Sequence, residues 1–530
     1  MRVFRLGAVL ATATVLLTTA LCAAQQSASP KHLFFHVLLS SQFNKPVSGR
    51  LLLFVTQGEG AKEVDMNEMS PGSVYIATRE VRYWTPGTIM DLDADGLVSP
   101  GPLSAAAPGN YQAQAILDVD HSYNYLGRQP GDLASPVALL TSWNPARDDT
   151  PTITLDTAIA TPPVASEASE FQTAIRSVDF TSRSLSTFWG RQVHMKAWVL
   201  LPPGYDSRPG QRYPTVYFTH GFGGNAARVR SRDAPMLFDR MLKGKMPAMI
   251  WVLLDESSPT GTHEFADSVN NGPWGTALTT EFIPHLESHY RMDARASGRF
   301  LQGHSSGGWA TLWLQVTYPK VFGGTWSTSP DPSDFHNFST VDLYAPHANL
   351  FHNADGTPVP IIRDHGKVLA TMEQLAKLES VLGDYGGQLQ SFDWVFSPRA
   401  QGGRPMEMFS RETGDIDPTV VAYWREHYDI AYRVQTNWNR LAPDLRGKIH
   451  LYVGTADTFY LDGAAHRLQQ VLDGLHADAH FTFLPDRTHF DVYVVGDDKT
   501  ALFDQIAAEM YAVARPNRSK SGGSRSGAST

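Results

Sequence analysis

The stretch that decides the fold is Arg299 to Gly308, RFLQGHSSGG. An apolar segment, Arg299 to Gln302, leads into Gly303-His304-Ser305-Ser306-Gly307, which matches the pattern G-x-S-x-G, and a helix-compatible segment, Trp309 to Val316, follows it. A strand, a sharp turn and a helix in this order present the central serine at the top of an α/β sheet, and the glycines avoid clashes within the turn. The sequence therefore predicts that Ser305 is a nucleophile.

A nucleophilic serine needs a base held by an orienting acid, and in this fold the acid and then the histidine follow the serine along the chain. Asp457 comes shortly after the apolar run KIHLYVG, and His489 comes shortly after HFTFLPD. Both runs predict strands, so both side chains are expected at the sheet edge where Ser305 lies. The predicted triad is Ser305, Asp457 and His489. The competing candidates, several of them within predicted helices or strands, are Asp462, Asp486, His466, His476 and His480.

A glycine-rich loop, His220-Gly221-Phe222-Gly223-Gly224, follows the predicted strand TVYFT. In this fold such a loop supplies one backbone N–H to an oxyanion hole, and the residue after the nucleophile supplies another. The expected donors are the N–H groups of Ser306, Phe222 and Gly223. The alternative is a plain glycine turn, and His220 is expected to brace the loop rather than to react.

Beyond about residue 170, apolar runs that end in small or polar residues alternate with amphipathic helical stretches. This alternation predicts an α/β catalytic domain over residues 170–515 with a mainly parallel sheet. Residues 331–446 exceed an ordinary connection and are expected to form an insertion, with a helix around Val368 to Leu382. Its aromatic cluster is interpreted either as a wall of the substrate pocket or as the insertion's own core; its members are Phe392, Trp394, Phe396, Trp424 and Tyr428.

Residues 31–156 consist of short apolar runs broken by turn residues, which predicts an all-β, sandwich-like accessory domain. A linker rich in Pro, Ala and Ser, residues 161–169, favours separate folding, and the competing interpretation is an extensive apolar interface with the catalytic domain. Asp91 to Gly96, DLDADG, is similar to the first half of a calcium loop, but its twelfth position is Pro102 instead of Glu. We expect an acidic surface turn there and no metal site.

The 530 residues include 44 Lys and Arg against 53 Asp and Glu, and 42% of the residues are hydrophobic. The acidic balance argues against nucleic acid as a partner, and the hydrophobic fraction excludes wholesale disorder. Residues 1–24 have the pattern of a signal peptide, which predicts a secreted or periplasmic protein, and no later run predicts a stable membrane span. Cys22, the only cysteine, lies in this leader, so the mature chain is expected to have no thiol. The Ser/Gly/Arg-rich residues 516–530 predict a disordered tail.

Several segments together resemble a known family: RYPTVYFTHGFGG, FADSVNNGPWG followed by TTEFIPHLESHYR, GRFLQGHSSGGW, VGTAD and the late His489. With them the chain resembles the esterase family of the α/β-hydrolase superfamily that includes the enterochelin esterases, feruloyl esterases, esterase D and the mycolyltransferases. The resemblance covers about Ser177 to Arg515 except for the insertion. It implies a serine hydrolase that uses Ser305, Asp457 and His489 and needs no metal or organic cofactor.

Together these patterns lead us to expect an exported serine esterase that hydrolyses a small-molecule or glycan-linked carboxylic ester through an acyl-enzyme. Two alternatives stay open. The first is an acyltransferase that moves an acyl group to a sugar or alcohol, and the second is a non-catalytic surface-binding protein with a relic site. Asp331 and Asp334, which follow the run GTWSTSP, are interpreted either as the mouth of the active site or as solvated loop charges.

Overall fold

The computed structural model describes residues 32–150, 152–161 and 170–516. The predicted signal peptide, residues 1–24, lies outside these ranges, as do the linker from residue 162 to 169 and the tail from residue 517 onward. Within the described ranges, no helix combines the length and apolar character that crossing a bilayer requires.

The N-terminal region forms two β-sheets around a shared apolar core. Strands β1 to β10 are, in chain order, Phe34–Leu39, Val47–Gln57, Tyr75–Trp84, Ile89–Asp93, Val98–Ser99, Gly109–Asp118, Leu133–Ala134, Ala138–Trp143, Thr152–Leu155 and Thr157–Ala158, and the short helix α1 is Tyr123–Leu126. In the described chain one sheet has the order β4-β1-β9; the other has the order β10-β7-β6-β2-β3-β5, and β8 also pairs with β6. Every second residue of β1 is buried, as in a strand with one face toward a core.

The second region is built on a central sheet. Strands β11 to β24 are, in chain order, Ile175–Thr181, His194–Leu200, Thr215–Thr219, Ile250–Leu254, Ser257–Ser258, Gly261–Thr262, Asp267–Ser268, Gly272–Pro273, Arg299–His304, Gly324–Thr328, Pro360–Asp364, Lys367–Thr371, Ile449–Gly454 and Ala479–Leu484. Among the described residues the central sheet has eight strands in the order β11-β12-β14-β13-β19-β20-β23-β24. The strands from β14 to β24 in this order are mutually parallel, and β12 runs antiparallel to both of its neighbours. All residues of β13, β14 and β20 are buried, because helices cover both faces of the sheet.

Helices α2 to α13 are, in chain order, Glu170–Ala174, Arg183–Trp189, Ala226–Leu242, Trp274–Ala277, Ile283–His289, Ser306–Thr317, Met372–Leu382, Gln388–Phe396, Pro418–His427, Ile430–Leu445, Leu461–Gly474 and Ala501–Ala514, and a π-helical turn, Leu278–Phe282, joins α5 to α6. On one face of the sheet, α4 and α13 share a core with Val216 and Phe218 of β13. On the other face, α6 and α7 share a core with Tyr217. This alternation is what a strand buried on both faces requires.

The predicted insertion contains the hairpin β21–β22 and helices α8 to α11. The helix expected around Val368 to Leu382 begins later, at Met372, because residues 367–371 pair with β21 instead. Thr371 fixes this start, since its hydroxyl accepts the N–H of Gln374 while the Gln374 side chain accepts the N–H of Thr371. This reciprocal pair is a capping box.

The aromatic cluster of the insertion forms part of a buried core. Phe392 and Phe396 lie one turn apart on α9 with ring centroids 5.8 Å apart, and Phe396 also meets the rings of Trp424 and Tyr428. Trp394 points elsewhere on the helix, toward Tyr385, and is half-buried. The core interpretation therefore holds for most of the cluster, and Phe392 in addition lines the main cavity.

The N-terminal region packs directly on the insertion. Leu52 and Phe54 of β2 share a buried core with Val381 and Leu382 of α8. The Arg50 guanidinium donates to the backbone oxygen of Val381 at 3.2 Å. These contacts correspond to the competing interpretation of the sequence, an apolar interface between the two regions.

Candidate functional site

The three residues of the predicted triad follow strands whose carboxyl ends meet at one edge of the sheet. β19 ends at His304, β23 at Gly454 and β24 at Leu484, and these strands are parallel to one another through β20. Ser305, Asp457 and His489 therefore lie in three loops on the same side, as the sequence predicts. In open α/β sheets this edge is where ligands bind.

Ser305 lies in a sharp turn between β19 and α7. Its backbone has φ 60° and ψ −126°, a conformation that residues other than glycine rarely adopt. The two glycines of the motif are required by close packing. A Cβ on Gly303 would lie 2.2 Å from the backbone oxygen of Gly307, and one on Gly307 would lie 2.4 Å from that of His220.

Asp457 and His489 form a buried pair. Nδ1 of His489 donates to Oδ2 of Asp457 at 3.0 Å, and Oδ1 of Asp457 accepts the N–H groups of Phe459 at 2.9 Å and Leu461 at 3.3 Å. Burial by itself raises the pKa of Asp457, but the interactions with His489 and with these N–H groups outweigh it, so the pKa is lowered. Because its pKa is lowered, the fully buried Asp457 carries a negative charge against the imidazole.

Ser305 and His489 both line a cavity of about 810 Å³, a size typical of small-molecule sites. Ser305 is 9% exposed and His489 is 4% exposed, so both reactive groups are largely shielded from bulk solvent. The ring of His304, next to Ser305, is 4.4 Å from the ring of His489. Burial, followed by repulsion from His489, holds the pKa of His304 well below its usual value, so His304 is neutral and packs against the pair.

Three of the competing candidates have other partners. Asp462 accepts a hydrogen bond from Arg363 at 2.8 Å, and the ring of His466 stacks on Phe483 at 3.7 Å. The ring of His480 stacks on His450 at 4.8 Å, on strands β24 and β23. These contacts give each of them a structural role away from Ser305.

The loop 220–224 packs against the serine. A Cβ on Gly221 would lie 3.0 Å from Cβ of Ser305, so any larger residue there would require the serine to shift. Within the described chain, no hydrogen bond uses the backbone N–H groups of Ser306, Phe222 or Gly223. His220 braces the loop, since its Nε2 accepts the N–H of Glu256 at 3.2 Å and its Nδ1 donates to the oxygen of Gly221 at 2.9 Å.

Buried carboxyl groups surround this loop, and the sequence analysis missed two of them. Glu256 and Glu264 are fully buried, and their carboxyl oxygens have no hydrogen-bond partner among the described residues. Burial, together with the charges of Asp331 and Asp255, raises the pKa of Glu256 to about 8. The signal was available in the sequence, because Glu256 comes two residues after the continuous apolar run IWVLL, which forms the buried strand β14.

Asp331 proves to be part of the site rather than a solvated charge. It is 3% exposed, lines the cavity and accepts a hydrogen bond from the Ser306 hydroxyl at 2.6 Å. Burial raises its pKa to about 6, against the effect of that hydrogen bond. Asp334, in contrast, caps a 3₁₀ turn by accepting the N–H of His336 at 2.9 Å.

Acidic clusters elsewhere have structural partners. In the calcium-like segment, the carboxylate of Asp91 pairs with His36 at 2.7 Å, and that of Asp95 accepts the N–H groups of Leu33 and Ser104 at 2.8 Å each. A second group, Asp118, Asp120 and Asp132, brings carboxylate oxygens close together, but these accept backbone N–H groups of their own loop. Residues 91–93 belong to strand β4 and the turn begins at Ala94, so the acidic-turn interpretation holds only for the second half of residues 91–96.

Comparison with known proteins adds a family assignment. Residues 191–505 match the family model described as "Putative esterase". Two curated proteins of Mycobacterium tuberculosis, Esterase MT1326 from strain CDC 1551 and Esterase Rv1288 from strain H37Rv, are each 30% identical over 149 residues. That match covers 28% of this chain and 31% of each relative, so the chain spans under a third of their length.

Solved structures give matches over a larger share of the chain. A ferulic acid esterase has 14% identity and a TM-score of 0.39, over 64% of this chain and 97% of that one. An S-formylglutathione hydrolase from Agrobacterium tumefaciens has 14% identity and a TM-score of 0.37, over 64% of this chain and 94% of that one. Because the family model matches residues 191–505, more than half of the 530, the chain belongs to this esterase family.

Proposed function

We propose that the protein is an exported serine esterase that hydrolyses carboxylic esters through an acyl-enzyme. The observation that carries this proposal is the buried hydrogen bond of 3.0 Å between Asp457 and His489, together with the cavity that His489 and Ser305 both line. Export rests on the signal-peptide pattern of residues 1–24. The family assignment supports chemistry on esters, and the geometry supports the serine mechanism.

In this mechanism each residue has one role. Because Nδ1 of His489 is bound to Asp457, the free Nε2 is the atom that takes the proton from Ser305 as its oxygen attacks the ester carbonyl. The fixed charge of Asp457 orients the ring and stabilises the imidazolium. The proton then passes to the departing alcohol. A water molecule attacks the acyl-enzyme in the same way, with His489 as the base, and the acid is released.

The negative oxygen of the tetrahedral intermediate needs donors that are already in place. The backbone N–H groups of Ser306, Phe222 and Gly223 are the candidates, because no hydrogen bond among the described residues occupies them. The N–H of Ser306, the first residue of α7, also gains from the helix dipole. We propose these groups as the oxyanion hole.

The test is Ser305→Ala, assayed with 4-nitrophenyl acetate and with a fluorophosphonate probe that labels active serines. We expect turnover to fall by at least about 10⁴-fold and labelling to be lost, because the nucleophile is absent. Ser288→Ala, on the exposed end of α6, is the matched control and should behave as wild type. Wild-type turnover and labelling in Ser305→Ala would contradict the proposal. Product analysis with an added alcohol separates hydrolysis from acyl transfer.

A further inference from the structure

One wall of the cavity is aliphatic and belongs to the insertion. Helix α8 contributes four of its residues at intervals of three or four, spread over about 15 Å at 1.5 Å per residue. Strand β21 and helix α9 add three more. We call this surface the aliphatic wall; it consists of Met372, Leu375, Leu378, Leu382, Ile361, Ile362 and Leu389.

The polar groups next to this wall already have partners. Both carboxyl oxygens of Glu379 accept the N–H of Leu389 at 3.1 Å. The Asn124 amide donates to the backbone oxygens of Glu379 and Tyr385 at 3.2 Å each. A sugar against this wall would leave its hydroxyl groups without partners, which is costly in a buried site.

We propose that the aliphatic wall binds an unbranched aliphatic chain of the ester while the ester carbonyl lies at Ser305. The proposal rests on the serine esterase function proposed above. Flexible Met and Leu side chains adapt to such a chain, and a single aromatic ring would contact only part of a wall of this length. Each methylene that the wall removes from water should raise kcat/KM about fourfold until the wall is covered.

The test uses two series of soluble esters with the full chain. One series varies the acyl half, from 4-nitrophenyl acetate through butyrate and hexanoate to octanoate; the other varies the alcohol half, from ethyl to octyl acetate. A steep rise in one series supports the proposal and identifies the half that the wall binds. 4-Nitrophenyl benzoate provides a rigid aromatic comparison.

Leu375 provides the matched variants, because it is half-buried in the wall and its replacement should not prevent folding. Leu375→Gln should lower the ratio of long-chain to short-chain kcat/KM about tenfold, and Leu375→Met should keep it. Val368→Gln, at an exposed position of β22, is the control and should keep the wild-type ratio.

Chain-independent rates, or faster hydrolysis of the benzoate than of the octanoate, would overturn the proposal. The esterase function would still stand if acetate hydrolysis depended on Ser305. If no ester were hydrolysed and Ser305 were not labelled, both proposals would fall together.

A different observation concerns helix α1, which reaches from the N-terminal region to the loop 220–224. The hydroxyl of Tyr125 donates to the backbone oxygen of Gly224 at 2.8 Å. The ring of Tyr125 meets the ring of Phe222 edge-on, with centroids 4.9 Å apart. Tyr125 is 6% exposed, so both contacts are shielded from water.

The segment that carries Tyr125 is held in place by two buried carboxylates. Asp118 accepts the N–H groups of Ser122 at 3.1 Å and Tyr123 at 3.0 Å. Asp132 accepts the N–H groups of Val119 at 3.1 Å and of Gln129 at 2.7 Å. These bonds fix the loop on both sides of α1, so the Tyr125 side chain has a defined position.

We infer that Tyr125 is a positioning residue, which holds the loop 220–224 so that its N–H groups meet the oxyanion of the proposed mechanism. Donors that are aligned before the reaction stabilise the transition state without reorganising. The bond to Gly224 and the contact with Phe222 fix the loop on both sides of Gly223.

The test is Tyr125→Phe, which removes the hydrogen bond and keeps the ring. We expect kcat to fall about tenfold with little change in KM, which is the effect of one hydrogen bond felt mainly in the transition state. The affinity for phenylboronic acid, which forms a tetrahedral anion on a reactive serine, should fall by a similar factor.

Tyr123→Phe is the matched control, since Tyr123 is buried on the same helix but donates to Asp65 instead of the loop. We expect wild-type kcat and boronate affinity from it, and melting temperatures of both variants record any loss of stability. Wild-type kcat and boronate affinity in Tyr125→Phe, or equal losses in the two variants, would overturn the inference. Loss of boronate affinity in Tyr125→Phe while Ser305 still reacts with the probe would leave the esterase function standing.

Discussion

At the residue scale, Ser305 is held in a strained backbone conformation by its neighbours. A non-glycine residue at φ 60° costs about 1–3 kcal/mol, and hydrogen bonds of the turn offset that cost. The Ser305 N–H donates to Thr328 at 3.1 Å, and its backbone oxygen accepts the N–H of Trp309 at 3.0 Å. In this conformation Ser305 lines the cavity.

The identity of the acid is tested by two Asp→Asn variants. Asp457→Asn should lower kcat by about 10⁴-fold, because an amide cannot hold the imidazole in the tautomer whose Nε2 accepts the serine proton. Asp462→Asn is the control and should lower kcat by less than about threefold, since Asp462 pairs with Arg363. Steady-state hydrolysis of 4-nitrophenyl acetate measures both, and the reverse ranking would transfer the role of the acid to Asp462.

Glu256 predicts a pH dependence of stability. Its pKa rises from 4.5 to about 8 on burial, so the folded state binds the proton more tightly than the unfolded state. The stability that this proton contributes is fully present below pH 4.5 and is lost as the pH rises through about 8. Scanning calorimetry from pH 5 to 8.5 should therefore show the melting temperature falling across this window.

Glu256→Gln removes the ionisation and keeps the shape of the side chain. Its melting temperature relative to wild type should increase by roughly 2 °C or more from pH 5 to pH 8.5. Glu412→Gln, at an exposed position, should track wild type at every pH. A Glu256→Gln curve parallel to that of wild type would show that this carboxyl does not titrate in the window.

At the element scale, the sequence predicts best where a pattern is local. Runs such as TVYFT and IWVLL lie in β13 and β14, because burial on both faces leaves a continuous apolar signature. The predicted start of α8 is too early because residues 367–371 pair with β21. Helical periodicity in the sequence does not reveal such a partner strand. The grouping of Trp394 with Phe392 and Phe396 is wrong for a related reason. In a strand these three side chains would share one face, but the segment is helix α9, in which Trp394 points toward Tyr385 instead.

Helix α9 allows a paired test of the aromatic cluster. Phe396→Ala should lower the free energy of unfolding by about 3–5 kcal/mol, because Phe396 is 2% exposed and its removal leaves a cavity among five rings. Trp394→Ala should cost clearly less and leave the preference among esters unchanged, because Trp394 faces Tyr385. Denaturant unfolding and the ester panel measure both effects. Equal destabilisation, or an altered ester preference in Trp394→Ala, would contradict this assignment.

At the scale of the whole molecule, the N-terminal sheet and the insertion share one core. The sequence carries a signal for this in β2, whose run Leu51 to Val55 is continuously apolar and buried. Leu51, Leu53 and Val55 face the N-terminal core, whereas Leu52 and Phe54 face α8. A strand covered on both faces needs a second layer, but the sequence alone does not identify α8, about 320 residues later, as that layer. The composition of the linker predicts separate folding, whereas the core that β2 shares with α8 favours the alternative, an apolar interface between the two regions.

The shared core predicts that the catalytic region depends on the N-terminal region. A chain limited to residues 170–516 exposes the face of α8 that carries Val381. It also lacks Tyr125, so the hydrogen bond from Tyr125 to the loop 220–224 is lost. We expect it to aggregate, or to melt at a clearly lower temperature and hydrolyse 4-nitrophenyl acetate more slowly than the chain that begins at residue 32.

The same interface is tested within the full chain by Val381→Asp, because Val381 is 3% exposed and an aspartate there has no partner. We expect a loss of at least about 3 kcal/mol of stability. Lys377→Gln, at an exposed position of the same helix, should cost less than about 0.5 kcal/mol. Two results together would contradict this prediction: a truncated chain with the melting temperature and turnover of the longer chain, and a Val381→Asp variant as stable as Lys377→Gln. The contact between α8 and β2 would then not stabilise the molecule, and the N-terminal region would be an independent domain.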